Sequence, residues 1–451
     1  MNLVLVNVPF ATPAAPPYAL GNLSGFLKRN LSSSHAVSIV DLNLEFHRLR
    51  FPRFDEFIHD PDMDEYAVMT KQFMDESRAC YAANNRVIRT GAVPEFFDEL
   101  LSRVLEKNPS KVLMSIVYSS QVFYAHALIS ALKKRGVPTV IGGPAVTHQL
   151  IWDADKFLAS ETALLHELNG NNVPPKDARK MIDYSGFELE RYFSPVPVLP
   201  IKTSNTCYYQ KCAFCTHHTG EKYVEYGLDD IRDSIVGSGQ RFVFFIDDML
   251  HKQRLLALAG MLKPLGVQWM CQLRPTRDLD SETLGVLRES GLRLVMWGVE
   301  SGSDRILEKM KKGTNVGDVA RVLRDAHSAG IVNGVYIMFG FPTETRDEFL
   351  QTVDFVKSNE GSIDLISQAV FGLQQRAPAF EAPQEYGIVN IRLGERSLLG
   401  PTVEYEVSEG LTQDEAAVLK KKHQKGLRAI NKYPHEMNFF REHLLFAVSR
   451  V

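Results

Sequence analysis

Short, continuous apolar runs of strand length, separated by segments of helical period, are what most limits how this chain can fold. Residues 3–8 form one such run; Leu20, Leu23, Phe26 and Leu27 then recur at helical spacing, and residues 35–42 return to a strand that carries Asp41 near its end. The pattern resumes with a strand over 112–117, a helical face of Tyr124, Ala127, Leu128, Ala131 and Leu132, and a strand over 137–141 leading into Gly142-Gly143-Pro144. An apolar run without polar alternation is buried on both faces, and strands joined through helices pair in parallel. Ligands of such sheets bind beyond the carboxyl ends of the strands, here the loops starting at Pro9, Ser115 and Gly142.

A second series occupies residues 196–384, with strands expected near 199–204, 242–246, 267–273, 293–299, 333–339 and 365–371. Gly266, Asp280-Ser281, Gly291, Gly330 and Thr345 punctuate the intervening helices. Six strands with five helices between them predict a partial parallel (β/α)6 barrel of the TIM type. At 451 residues the chain exceeds one ordinary core. The expected division is a Rossmann-like domain over 1–150 with a helical insertion at 45–108, a linker over 151–195, the barrel over 196–384, and a small helical cap over 385–451.

Composition narrows the function. The formal charge of -3 gives no cationic excess for binding nucleic acid or an anionic membrane. The basic run Lys420-Lys421-Lys422 with Lys425 and Arg428 reads as a solvated helix face. Residues 1–10 read as a strand without a cationic lead, so no signal peptide is expected. No apolar run approaches the ~20 residues that span a bilayer, and a cytoplasmic location is the expectation.

Of five cysteines, three fall within nine residues: Cys207, Cys212 and Cys215. That is a poor disulfide framework and suits a metal site in a reducing compartment. The loop directly follows the first barrel strand, at the end where barrel active sites form. Three thiolates can ligate three irons of a [4Fe–4S] cubane and leave the fourth iron open. A zinc site would need a fourth ligand, which His217 or His218 could supply, so zinc stays open on the residues alone. Cys80 reads as a free thiol, and Tyr208 and Tyr209 as packing for the loop.

The cysteine loop resembles that of the radical SAM superfamily, Cys-x3-Cys-x2-Cys with an aromatic before the last cysteine. Phe214 takes the aromatic position, and four residues rather than three separate Cys207 from Cys212. Two further segments at strand ends carry the resemblance. Gly298-Val299-Glu300-Ser301-Gly302-Ser303 resembles the segment that holds the ribose and amino-acid end of S-adenosylmethionine (SAM), and Gly340-Phe341-Pro342-Thr343-Glu344-Thr345 a loop in which Thr343 replaces the usual Gly. The resemblance implies a [4Fe–4S] cluster on the three cysteines and SAM held by Phe214, Asp248, Gly298, Glu300 and Ser301, while Arg274, which closes the third strand, can hold either the SAM carboxylate or an anionic substrate. Asp247-Asp248 can equally be a helix N-terminal carboxylate pair.

A doubly wound domain before such a barrel resembles the cobalamin-dependent radical SAM enzymes. Ser115, Gly142 and Gly143 then stand at the cobalamin tail, although the Asp-x-His-x-x-Gly motif that supplies an axial histidine is absent after the first strand. The implied activity is cleavage of SAM to a 5′-deoxyadenosyl radical and methylation of an unactivated centre. The substrate would be a small molecule or peptide, and an external donor would supply one electron. The alternative is an epimerase, cyclase or rearranging enzyme without methyl transfer, in which Cys271, if it faces the lumen, returns a hydrogen atom; its other reading is a small core residue. A non-catalytic iron–sulfur or cobalamin sensor is the remaining alternative.

Overall fold

The computed structural model describes residues 1–170, 174–217 and 220–450. The chain divides into two compact units: Met1–Pro200 with Asp229–Gln240 and Glu395–Gly400, and Ile201–Leu228 with Arg241–Gly394 and Pro401–Val451. No helix among the described residues is long and apolar enough to cross a membrane.

The first unit is built on strands β1 (Asn2–Asn7), β2 (Ala36–Asp41), β3 (Lys111–Ser115), β4 (Thr139–Gly142) and β5 (Lys156–Phe157). They form a sheet of order β2-β1-β3-β4-β5, parallel throughout. Leu3, Val4, Leu5 and Val6 are completely buried, as an apolar run without alternation requires. Because β2 lies on one side of β1 and β3 on the other, the chain reverses direction across the sheet at the carboxyl ends of β1 and β3. That is the crevice-forming point of an open α/β sheet. The strand expected over 112–117 stops at Ser115, because the Val117 and Tyr118 N–H groups turn away to donate to Gln121 Oε1 at 2.8 and 3.0 Å. The segment between β2 and β3 forms helices Leu42–Arg50, Pro52–Ile58, Tyr66–Arg89 and Phe97–Leu105. The stretch read as a linker instead supplies edge strand β5 and helix Glu161–Asn169, whose Leu164, Leu165 and Leu168 join the core under β1.

The second sheet runs in chain order through β6 (Val198–Ile201), β7 (Phe242–Phe245), β8 (Gln268–Leu273), β9 (Leu292–Glu300), β10 (Val332–Phe339) and β11 (Leu365–Val370). The β7 to β11 pairings are parallel, giving the open (β/α)6 barrel the sequence predicts. Asp280 caps helix Ser281–Glu289 through Thr283 N–H (2.8 Å), and Thr345 with Glu348 makes a capping box on helix Arg346–Ser358. One face of β8 carries Trp269 and Cys271. The Trp269 ring packs on Phe245 and donates to Ser290 O, so this face meets the helices. The other face carries Gln272 and looks into the barrel.

The tail is not a purely helical cap. Strands β12 (Ile388–Gly394) and β13 (Thr402–Val407) make an antiparallel hairpin before helices Gln413–Arg428 and Arg441–Ser449. Its Ile388 and Tyr405 complete a core with Phe341, Phe371 and Ala213, so apolar burial decides this segment over its many charges.

Gly291 joins helix Ser281–Glu289 to β9 at φ +104°, and a Cβ there would lie 1.9 Å from Val267 O, whereas Gly285 in the helix faces open space. Gly291→Ala is therefore expected to cost ~2 kcal/mol or more, and Gly285→Ala to stabilise by ~0.5–1 kcal/mol. Chemical denaturation of both variants checks the contrast.

Candidate active site

The cysteine loop leaves β6 and is clamped at its base. The Thr203 N–H donates to both Asp247 oxygens at 2.9 Å and the Ser204 hydroxyl to one at 2.7 Å. Burial lifts this carboxyl to about 6 against the pull of those bonds. The buried Arg254 guanidinium donates to Thr203 O at 2.9 Å and Tyr226 O at 2.7 Å, closing the two ends of the loop on each other. Asp247 and Arg254 are thus structural, and spacing alone gives no sign of their partnership.

The tip is fixed from the barrel side. Ala213 is fully buried, donating its N–H to Met310 O and accepting from Ala379 N–H, both at 2.9 Å. The extra residue between Cys207 and Cys212 is absorbed where Gln210 takes a left-handed φ of 53°. The Tyr209 hydroxyl donates to Lys311 O at 2.8 Å, and the Arg274 guanidinium stacks on its ring at 3.5 Å. Arg274 also donates to Lys312 O (3.0 Å) and to the Tyr208 hydroxyl (3.2 Å). Gly313 makes this possible, since a Cβ there would stand 2.2 Å from the Tyr209 hydroxyl oxygen. Tyr208 and Tyr209 pack the loop as expected, and they do so through Arg274.

Cys207 is buried and Cys212 and Cys215 are half-buried, all three as free thiols. Cys212 and Cys215 sit one turn apart, with the Cys215 N–H on Cys212 O at 3.2 Å. Burial raises the Cys212 thiol, Lys312 draws it down, and burial pushes Cys215 up to about 11. Thiolates that ligate metal must lose their protons, so a bound cation would reverse these shifts. Among the described residues no three His, Cys, Asp or Glu side chains converge on a single-ion site. Three soft thiolates on one loop are the donor set of a cubane with one open vertex, and the cysteines present fit that group. His217 Nδ1 binds Asp248 at 2.6 Å, which raises the imidazole, while His218 lies outside the described residues.

The end of β9 supplies the polar half of the site. Glu300 is nine-tenths buried with φ +67°, a left-handed conformation that costs a non-glycine residue ~1–3 kcal/mol. Its carboxylate meets Lys312 Nζ at 2.7 Å, and Lys312 is 1% exposed with its ammonium 5.5 Å from the Phe214 ring. A Cβ on Gly298 would lie 2.6 Å from Lys312 Nζ and 2.9 Å from Glu300 Oε1. Phe214, Arg274, Gly298 and Glu300 therefore gather around Lys312, which no motif announces. Ser301 stands apart: its hydroxyl pairs with Thr352 Oγ1 (3.2 Å) and accepts from Ser303 N–H (3.1 Å), bracing the turn. Cys271 is fully buried on the helix-facing side of β8, a core position from which it cannot reach a substrate in the lumen.

Thr343 adopts φ +73°, which is why a glycine is usual at its place. Arg305 holds it there, donating to Thr343 O at 2.6 Å and to its hydroxyl at 3.2 Å.

In the first unit, Ser115 and Gly142 pair at the ends of β3 and β4. Cβ atoms on Gly142 and Gly143 would lie 2.8 Å from Leu158 O and 2.4 Å from Ile116 O, so both glycines are required by backbone packing. Gly143 and Pro144 are nonetheless exposed at the carboxyl edge. Gln121, which the sequence did not single out, ties the switch point together by donating to Asn7 Oδ1 and Val8 O, each at 2.9 Å.

Residues 201–356 match the Radical SAM superfamily. That match covers the end of β6 to helix Arg346–Ser358. Beyond it, the chain is 26% identical over 213 residues to an uncharacterized methyltransferase of Pyrococcus horikoshii, covering 43% of this chain and 46% of the relative. The chain thus matches less than half of that relative's length. Two solved structures share the fold. The radical S-adenosylmethionine methyltransferase TsrM of Kitasatospora setae, solved with tryptophan substrate and a SAM analog, aligns over 100% of this chain and 99% of its own at a TM-score of 0.63 and 15% identity. The cobalamin-dependent S-adenosylmethionine radical enzyme OxsB, solved with aqua-cobalamin, aligns over 94% of this chain and 66% of its own at 0.60 and 14%. The matched region runs from the end of β6 through β10 and the Thr343 turn, so the three sequence segments lie inside it.

Within that region Glu344 is fully buried. One oxygen accepts from Gly340 N–H at 2.5 Å, the other has no partner, and burial pushes the carboxyl from its ordinary 4.5 up to about 8. A raised carboxyl favours the folded state below its unfolded value, and that contribution is lost as pH rises through the folded value. Melting temperatures between pH 5 and 9 should show the native protein losing stability towards the alkaline end more steeply than Glu344→Gln, by an amount of order 1 kcal/mol.

Proposed function

We propose that the chain is a radical SAM enzyme, and within that class a cobalamin-dependent methyltransferase acting on an unactivated centre. The observation that carries the reading is the placement of Cys207, Cys212 and Cys215 on one desolvated loop beside the Glu300–Lys312 pair, in a segment that matches the radical SAM family. When bound, a [4Fe–4S] cluster supplies the electron that cleaves SAM to methionine and a 5′-deoxyadenosyl radical, and cobalamin supplies the methyl group.

This chain's own residues hold and orient. The three thiolates take three irons and leave the fourth for the amino-acid end of SAM. Glu300 would accept a hydrogen bond from the SAM amino group, and Lys312 would donate to its carboxylate, so the bound amino acid meets one fixed charge of each sign. Phe214 provides a ring face beside that pair, and Gly298 the space. Arg274 keeps the cysteine loop against Lys312. Asp248, through His217, steadies the segment after Cys215. Cobalamin is assigned to the carboxyl edge of the first sheet, at Ser115, Gly142 and Gly143, where exposed backbone admits a nucleotide tail. The fold shared with OxsB, solved with aqua-cobalamin, and TsrM, solved with a SAM analog, supports the class of enzyme proposed. The substrate is a small molecule or peptide, and the electron comes from an external donor.

Protein reconstituted anaerobically with iron, sulfide and hydroxocobalamin should release 5′-deoxyadenosine from SAM when reduced. Cys207→Ala, Cys212→Ala and Cys215→Ala should each lose the cluster absorbance and fall to background. A wild-type chain with a verified cluster that yields no 5′-deoxyadenosine under any reductant, with candidate substrates present, would overturn the reading. Gly298→Ala should leave the cluster intact but weaken SAM binding about tenfold, measured by equilibrium dialysis.

A further inference from the structure

The C-terminal helix Arg441–Ser449 packs against β7, β8 and β9, and its first residue reaches the face of the sheet opposite Trp269 and Cys271. There the Arg441 guanidinium lies 5.4 Å from the Tyr336 ring and 6.0 Å from the Phe244 ring, and Nη1 approaches Gln272 Oε1 at 3.4 Å. The Tyr336 hydroxyl donates to the same Gln272 oxygen at 3.0 Å. Ring faces and a neutral amide oxygen attract a cation without neutralising it. Among the described residues no carboxylate oxygen is within salt-bridge distance of Arg441; the adjacent Glu442 attracts it only at longer range, and burial favours that carboxyl's neutral form.

The register places this cluster next to the proposed SAM site. Tyr336 pairs with Gly298, so its backbone stands one strand spacing, ~4.8 Å, from the residue that makes room for Glu300 and Lys312. Gln272 pairs with Met296 on the other side of β9. All three polar side chains are half-buried, neither sealed in the core nor free in solvent. A guanidinium presents a fork of donors matched to planar or tetrahedral oxyanions, and this partly desolvated one has donors that no carboxylate oxygen occupies.

We propose that Arg441, positioned by Tyr336 and Gln272, is the substrate-anchoring cation of the barrel, and that the substrate carries a carboxylate or a phosphate. The proposal rests on the assignment of SAM to Glu300 and Lys312, since only then does an anchor one strand away hold a substrate beside the reacting centre. It names the substrate's charged group, which the cysteine loop does not reveal.

The test uses the full-length, cluster-loaded protein with SAM bound, and inorganic phosphate and acetate as probes in separate calorimetric titrations. The wild type should bind one of them saturably, and the better probe tells phosphate from carboxylate. Arg441→Met should weaken that binding at least tenfold and Arg441→Lys less, because the lysine keeps charge but loses the fork. SAM affinity and thermal melting should be unchanged in both variants. Equal anion binding by wild type and Arg441→Met, or saturable binding of neither anion by the wild type, overturns the proposal. Failure of the wild type to bind SAM would instead overturn the SAM assignment, and the same anion titrations run on the cluster-loaded protein without SAM would still report on Arg441.

Discussion

A lysine ammonium lies almost wholly inside this protein, against one carboxylate. The Lys312–Glu300 pair is what the rest of the site is arranged around. Taking both charges from water costs several kcal/mol, and breaking such a pair by removing one partner typically costs ~3–5 kcal/mol. The surroundings preserve it. Gly298 leaves the room it needs, and the chain accepts a left-handed Glu300 to aim the carboxylate. The Lys312 carbonyl anchors Arg274, Arg274 stacks on Tyr209, and Tyr209 returns to the Lys311 carbonyl. Through that circuit the cysteine loop is fastened to the turn that carries the lysine. A pre-paired charge of each sign beside Cys212 is an arrangement that offers a ligand one acceptor and one donor already in place.

The same principle of parallel sheets operates in both units. Each places its loops beyond the carboxyl ends of its strands, and in each the functional candidates cluster there. In the first unit Gln121 draws the loops after β1 and β3 together at the point where strand order reverses. In the second, Asp247 and Arg254 perform the corresponding service for the cysteine loop. Both fix the backbone from which the candidate groups project.

How much of this is legible in the sequence depends on how local the cause is. The strands are legible because fully buried strands need unbroken apolar runs, and the three cysteines because nearby ligands share one loop. Lys312 is not, since its neighbours come from the cysteine loop and β9, and a lysine before a glycine reads as an ordinary surface residue. Arg441 hides for the same reason, in a tail whose charges suggest a solvated helix. Cys271 illustrates the opposite error: a cysteine on a barrel strand invites a chemical role, yet strand alternation with Trp269 turns it to the helices. Ser301 lies in a family segment, but its hydroxyl is engaged inside the turn. The β12–β13 hairpin is visible only once Phe341 and Phe371 require a cover.

Mössbauer spectroscopy of protein reconstituted with isotopically enriched iron, before and after SAM is added, measures directly whether the three thiols hold a four-iron cluster with one vertex open. The expected result is a [4Fe–4S] spectrum in which one iron alone changes environment when SAM binds. A spectrum with no four-iron centre, or one in which every iron is indifferent to SAM, would contradict the radical SAM reading.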